Sequence, residues 1–119
     1  MPVDSIAALT DEVQAFCEAR DWDQFHSPKD LAIGIATEAA ELLANFRFLS
    51  PEQIAERLRD ATGRQEIEHE VGDVLFFLLR FCQRCEIDPG AALRTKLAVN
   101  EAKYPVDRAR GSNLKYDRL

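Results

Sequence analysis

The sequence predicts an all-α fold built as a four-helix bundle. Apolar residues recur at helical spacing along nearly the whole chain, helix starts are marked by Ser-Pro and Asp-Pro pairs, and no stretch alternates as a strand would. At 119 residues the chain is long enough for one domain with its own core and too short for two, so a single domain over 1–119 is expected.

Each element has its own justification. Ile6, Leu9, Val13, Phe16 and Cys17 form one stripe, which predicts a first helix from about Asp4 to Arg20. A polar and aromatic connection follows, Asp21-Trp22-Asp23-Gln24-Phe25-His26. Ser27-Pro28-Lys29-Asp30 reads as an N-cap with proline at the first helical position, opening a second helix that continues to about Phe48. Ser50-Pro51-Glu52-Gln53 repeats the signature, with Gln53 placed to close a capping box on a short helix to about Arg59. Asp60 to Arg64 reads as a turn, with Thr62 and Gln65 capping a third main helix that runs to about Glu86. Asp88-Pro89 opens the fourth and Tyr104-Pro105 stops it. Residues 105–119, with Arg108, Arg110, Lys115 and Arg118, read as an irregular basic tail.

Composition narrows the function. Apolar residues are 46% of the chain and charged residues 30%, as in soluble globular proteins. Fifteen basic against 21 acidic residues leave a formal charge of −6, which argues against non-specific nucleic-acid binding. A phosphorylated small molecule stays open, because a bound cation reverses the local sign. No apolar run reaches membrane-spanning length, and Met1-Pro2-Val3-Asp4 lacks the basic and apolar parts of a secretory signal, so a cytoplasmic protein is expected. Cys82-Gln83-Arg84-Cys85 matches C-x-x-C, but three cysteines without a second ligand pair read as free thiols on the apolar side of a helix.

The informative feature is a local self-similarity. IATEAAELLANF (35–46) aligns with IEHEVGDVLFFL (67–78), so that Glu38 meets Glu70 and Glu41 meets Asp73. Acids at i, i+3 share one helix face. In both segments the first acid lies at the edge of the apolar stripe and the second further out. Antiparallel packing of the two stripes can bring all four carboxylates together, and a hard divalent cation would then relieve their repulsion. Oxygen-only ligands favour Mg²⁺ or Mn²⁺ over zinc. On spacing alone, a solvated acidic rim remains an equal alternative. Glu66-x-x-His69 matches only half of a di-iron motif, and His69 falls off the stripe defined by Ile67, Val71 and Leu78, towards water. The third main helix also carries Phe76, Phe77, Leu79 and Phe81 and is apolar nearly all round, which calls for burial on several sides.

Together these residues resemble the all-α nucleotide pyrophosphohydrolases of the MazG type. Glu38-x-x-Glu41 followed by Glu70-x-x-Asp73 is similar to that family's metal-binding signature. Arg20 to His26, then Asn100, Lys103-Tyr104-Pro105-Val106, Arg110-Gly111-Ser112 and Lys115-Tyr116, resemble its dCTP pyrophosphatase branch. The resemblance implies Mg²⁺-dependent hydrolysis of a (deoxy)nucleoside triphosphate, most of all dCTP or a modified dCTP, to the monophosphate and pyrophosphate. It implies Glu38, Glu41, Glu70 and Asp73 as metal ligands and catalytic groups. It implies a base pocket from Trp22, His26 and Phe48, where the branch commonly has Trp in place of Phe48. It implies sugar, base and phosphate contacts from Lys96, Asn100, Lys103 and Tyr104, with Arg110 and Lys115 adding phosphate contacts from the tail. It also implies a homodimer or homotetramer, with sites completed across subunits. The rival readings are a house-cleaning enzyme for dUTP or other triphosphates on the same scaffold, and a non-catalytic helical interaction module.

Overall fold

The computed structural model describes residues 5–119, all helices and connections, with no strand among them. The expected helix start at Asp4 lies outside the described residues. The chain forms two compact units, one ending at Glu86 and the other spanning Ile87–Leu119.

The first unit contains α1 (Ile6–Ala19), a 3₁₀ turn (Asp23–Phe25), α2 (Pro28–Ala44), α3 (Pro51–Arg59) and α4 (Ala61–Arg84). The caps follow the sequence closely. Ser27 Oγ accepts from the Asp30 N–H at 3.1 Å. Ser50 and Gln53 form a reciprocal capping box at 3.2 and 2.8 Å. Two boundaries differ from expectation. The stretch from Asp60 to Arg64 is not a turn: Asp60 alone separates α3 from α4, and its carboxylate accepts the Gly63 N–H at 2.8 Å, so neither Thr62 nor Gln65 caps the helix. The corner is that tight because position 63 is glycine, where a Cβ would lie 2.7 Å from the Arg57 carbonyl. The second helix stops at Ala44, and residues 45–48 are turn rather than helix.

The 24-residue α4 is the centre of this unit, with α1, α2 and α3 all packed on it. Cys17, Leu31, Ile67, Leu79 and Cys82 are buried. So is Arg80, the largest fully enclosed side chain. The apolar stripe on α4 differs in phase from the one expected: Val71, Leu75 and Leu78 are exposed, and Ile67, Val74 and Phe77 turn further inward. No described helix is long and apolar enough to cross a membrane.

The second unit contains α5 (Pro89–Lys103), α6 (Val106–Ala109) and a 3₁₀ turn (Tyr116–Arg118). Asp88 caps α5 through the Ala91 N–H at 3.0 Å. The tail is tied to the end of α5 by Tyr116, which meets the Tyr104 ring edge-on at 6.1 Å and lies under the Lys103 ammonium at 4.7 Å.

Candidate metal centre

The acids come together because α2 and α4 run antiparallel. Gly34 faces Phe77, Glu38 and Glu41 face Glu70 and Asp73, and Asn45 is bridged to Glu66 through Arg57, so positions descend along α4 as they rise along α2. The approach is close at Gly34. A Cβ there would lie 2.5 Å from Cδ1 of Phe77, so a larger residue would push the helices apart one turn from Glu38.

One carboxylate oxygen from each of Glu38, Glu41, Glu70 and Asp73 lies within 4.8 Å of the others. The pairs are asymmetric in depth. Glu38 and Glu70 are half-buried in the seam, whereas Glu41 and Asp73 are exposed. Oε2 of Glu38 and Oε2 of Glu70 are buried without any hydrogen-bond partner. Buried acceptors are rarely left unpaired, and the cost is larger for a charged group.

The electrostatics agree with the geometry. A hydrogen bond shared with the Glu41 side chain, burial, and the charges of Glu41, Asp73 and Glu70 push Glu38 up to about 7. Glu70 is raised as well, first by burial and then by the charges of Glu41 and Asp73 and a hydrogen bond with Glu41, with His69 acting in the opposite sense. Acids clustered in this way hold protons unless a cation replaces them. The donor set is all oxygen, and two of its oxygens lack a partner, so it suits a hard divalent ion.

Beside the acids lies a cleft of about 560 Å³ lined by Glu41, Ala44, Asn45, Phe48, Leu49, Arg57 and Glu70. Arg57 donates to Asn45 Oδ1 at 2.7 Å and to Glu66 Oε2 at 2.6 Å, tying α2, α3 and α4 together at the rim. Phe48 is 84% exposed here, with the Arg47 guanidinium 4.8 Å from its ring centre.

No protein-family model matches the chain. Over 104 residues the chain is 34% identical to dCTP pyrophosphatase 1 of Rattus norvegicus and 32% identical to dCTP pyrophosphatase 1 of Homo sapiens. Each match covers 87% of this chain and 61% of the relative, so the chain spans about three fifths of the length of these curated relatives. A crystal structure of a pyrophosphatase from Archaeoglobus fulgidus superposes with a TM-score of 0.78 at 38% identity, covering 88% of this chain and 96% of that one. The chain belongs to the MazG-like pyrophosphatase family.

The remaining residues expected from the MazG-like resemblance fall into separate groups. Trp22 precedes the 3₁₀ turn, edge-on to Phe16 at 5.6 Å and to His26 at 6.1 Å. His26 is half-buried, and its Nδ1 accepts a hydrogen bond from Arg80 Nε at 2.9 Å. These two rings precede α2, and Phe48 follows it. The 17 residues of α2 span about 25 Å, so one copy of the chain does not gather the three rings into one pocket.

Lys96, Asn100 and Lys103 lie along α5, and Tyr104 caps its end. Asn100 and Tyr104 are half-buried, and both lysines are exposed. Arg110 follows α6, and Lys115 precedes the last 3₁₀ turn, both exposed. The sequence reading did not single out Gly34, Arg57 or Arg80. Only the placement of a glycine one turn before Glu38, and of an arginine within the apolar run Phe76–Phe81, hinted at them.

Proposed function

We propose that this chain is a nucleoside triphosphate pyrophosphohydrolase that uses Mg²⁺, or Mn²⁺ in its place, and acts on dCTP or a modified dCTP. The observation that carries the proposal is the group of four carboxylates within 4.8 Å, two of whose buried oxygens have no partner. Glu38, Glu41, Glu70 and Asp73 would hold the ion. When bound, it offsets the charge of the triphosphate, polarises its oxygens and makes water a better nucleophile.

The chain's own groups do the rest. The half-buried Glu38 and Glu70 form the floor of the site and the exposed Glu41 and Asp73 its mouth. The carboxylates orient a water for attack at phosphorus. The bond between the α and β phosphates breaks, and the products are the monophosphate and pyrophosphate. A proton from the water passes to a carboxylate of the cluster. The cleft beside Glu41 and Glu70 offers space for the nucleotide, with the Phe48 ring on its wall.

The dCTP preference is supported by the names of the mammalian relatives. A homodimer or homotetramer is supported by the exposed row Val71, Leu75 and Leu78 on the central helix. It is supported too by the separation of Trp22 and His26 from Phe48, which a second copy would close. Lys96, Asn100, Lys103, Tyr104, Arg110 and Lys115 are then the sugar, base and phosphate contacts, and the whole chain works as one catalytic domain in the cytoplasm.

The test is pyrophosphate release over a panel of triphosphates with and without Mg²⁺. The expected result is turnover that requires the ion and is fastest with dCTP. Turnover unaffected by chelation would overturn the metal assignment, and activity confined to dUTP would overturn the base assignment.

A further inference from the structure

Arg80 lies on α4 about two turns beyond Asp73 and is fully buried. Its guanidinium donates from Nε to His26 Nδ1 at 2.9 Å, from Nη1 to the Gln83 side chain and from Nη2 to the Asp23 carboxylate. Arg84, one turn on, reaches the same segment, with Nε 3.4 Å from the His26 carbonyl and Nη2 3.4 Å from the Asp23 carbonyl. The segment between α1 and α2, which holds Trp22 and His26, is thus clipped to α4 by two arginines.

The chemistry of one of these bonds is decisive. A guanidinium stays protonated at any pH a protein survives and has no lone pair to offer. The Nε–H can only donate, so Nδ1 of His26 must be the acceptor and cannot carry a proton. The ring's proton then sits on Nε2. A second proton on Nδ1 would set one N–H against another beside a buried cation. The charged groups facing the ring are Arg80 and Arg84 from α4 and Asp23 from the 3₁₀ turn. Burial, Arg80 and Arg84 disfavour the imidazolium, and Asp23 opposes them more weakly.

We propose that Arg80 is a positioning residue that locks His26 as the neutral Nε2–H tautomer, leaving one fixed hydrogen-bond donor for an acceptor on the edge of a nucleotide's base. A carbonyl oxygen or an unprotonated ring nitrogen of a pyrimidine is an acceptor of that kind. The role in base binding rests on the nucleotide reading above, and the tautomer does not. A purely structural arginine would be satisfied by Asp23 and Gln83 alone, and a buried ion pair is seldom more stable than an apolar replacement.

The test is nuclear magnetic resonance of the full chain labelled with ¹⁵N-histidine. His69→Gln leaves His26 as the one remaining histidine of two and assigns its signals. Nδ1 is expected to show the shift of an unprotonated nitrogen and Nε2 that of a protonated one, unchanged from about pH 8 to well below the ordinary histidine value of about 6.5. In Arg80→Met the ring is expected to titrate near that value. A proton on Nδ1 in the chain with native Arg80, or an Arg80→Met titration that superposes on it, overturns the lock. Should Arg80→Met fail to fold, the measurement on the chain with native Arg80 still decides. In kinetics, Arg80→Met is expected to raise KM for dCTP about tenfold, with kcat within about twofold, as for loss of one oriented hydrogen bond. An unchanged KM overturns the role in binding. If the chain with native Arg80 turns over no triphosphate, the functional reading fails and the tautomer still stands or falls on the spectra.

Discussion

Around Glu70 and Asp73, α4 sets acid against the acids of α2. About two turns further on, the same helix buries a cation, and the structure surrounds Arg80 with a carboxylate, an imidazole and an amide. The two regions share a helix, yet in one the buried polar groups are all partnered and in the other they are not. Arg80 has an acceptor at each of its three nitrogens, whereas Glu38 and Glu70 each leave a buried oxygen unmatched. A balanced cluster completes itself within the chain and holds a loop in place. An unbalanced one needs something from outside, and its strain marks where a ligand belongs.

The comparison is sharpest when one group is removed from each side. Glu38→Ala or Asp73→Ala is expected to lower kcat by at least about a hundredfold, because even second-sphere partners of a metal are worth tenfold to a hundredfold. Steady-state pyrophosphate release checks it. Arg80→Met is expected to cost about 1–3 kcal/mol in denaturant unfolding, since it leaves the half-buried Asp23, His26 and Gln83 without their donor. Glu70→Gln is expected to have the opposite sign and to raise the melting temperature of the metal-free chain. If both substitutions move stability in the same direction, the distinction between the two regions is lost.

Gly34→Ala probes the scaffold that the acidic region depends on. The added methyl would meet Phe77, and a loss of about 1–3 kcal/mol is expected, with weaker Mg²⁺ binding by calorimetry. The response to pH is gentler and separates proton from metal. The folded-state value of Glu38 is raised from 4.5 to about 7, so the folded chain holds this proton more tightly than the unfolded chain does. Its stabilising contribution is therefore complete below about 4.5 and is lost as pH rises through about 7. In thermal melts the metal-free chain should weaken over that range, and Mg²⁺ should raise the melting temperature more at pH 8 than at pH 6. The smallest effect is expected at Arg64→Ala, which breaks an exposed pair with Glu68 at 2.8 Å and should change stability by no more than about 0.5 kcal/mol.

Much was legible in the chain itself because it is local chemistry. The Ser27, Ser50 and Asp88 caps, the capping box at Gln53 and the stop at Tyr104-Pro105 depend on neighbours within four residues, and they stand in the structure as the sequence predicts. The matched phase of Glu38/Glu41 and Glu70/Asp73 is equally local, being a repeat of i, i+3 spacing on two helices. The deeper placement of Glu38 and Glu70 follows from their position at the edge of each apolar stripe. Tertiary packing decided the rest. The exposure of Val71 and Leu78 does not follow from the stripe, because α4 is apolar on several sides and only its neighbours select the sides they cover. Asp60 displaced Thr62 and Gln65 because Gly63 allows a corner of a single residue. The bond between Arg80 and His26 joins positions 54 residues apart, and no periodicity along the chain encodes a contact at that separation.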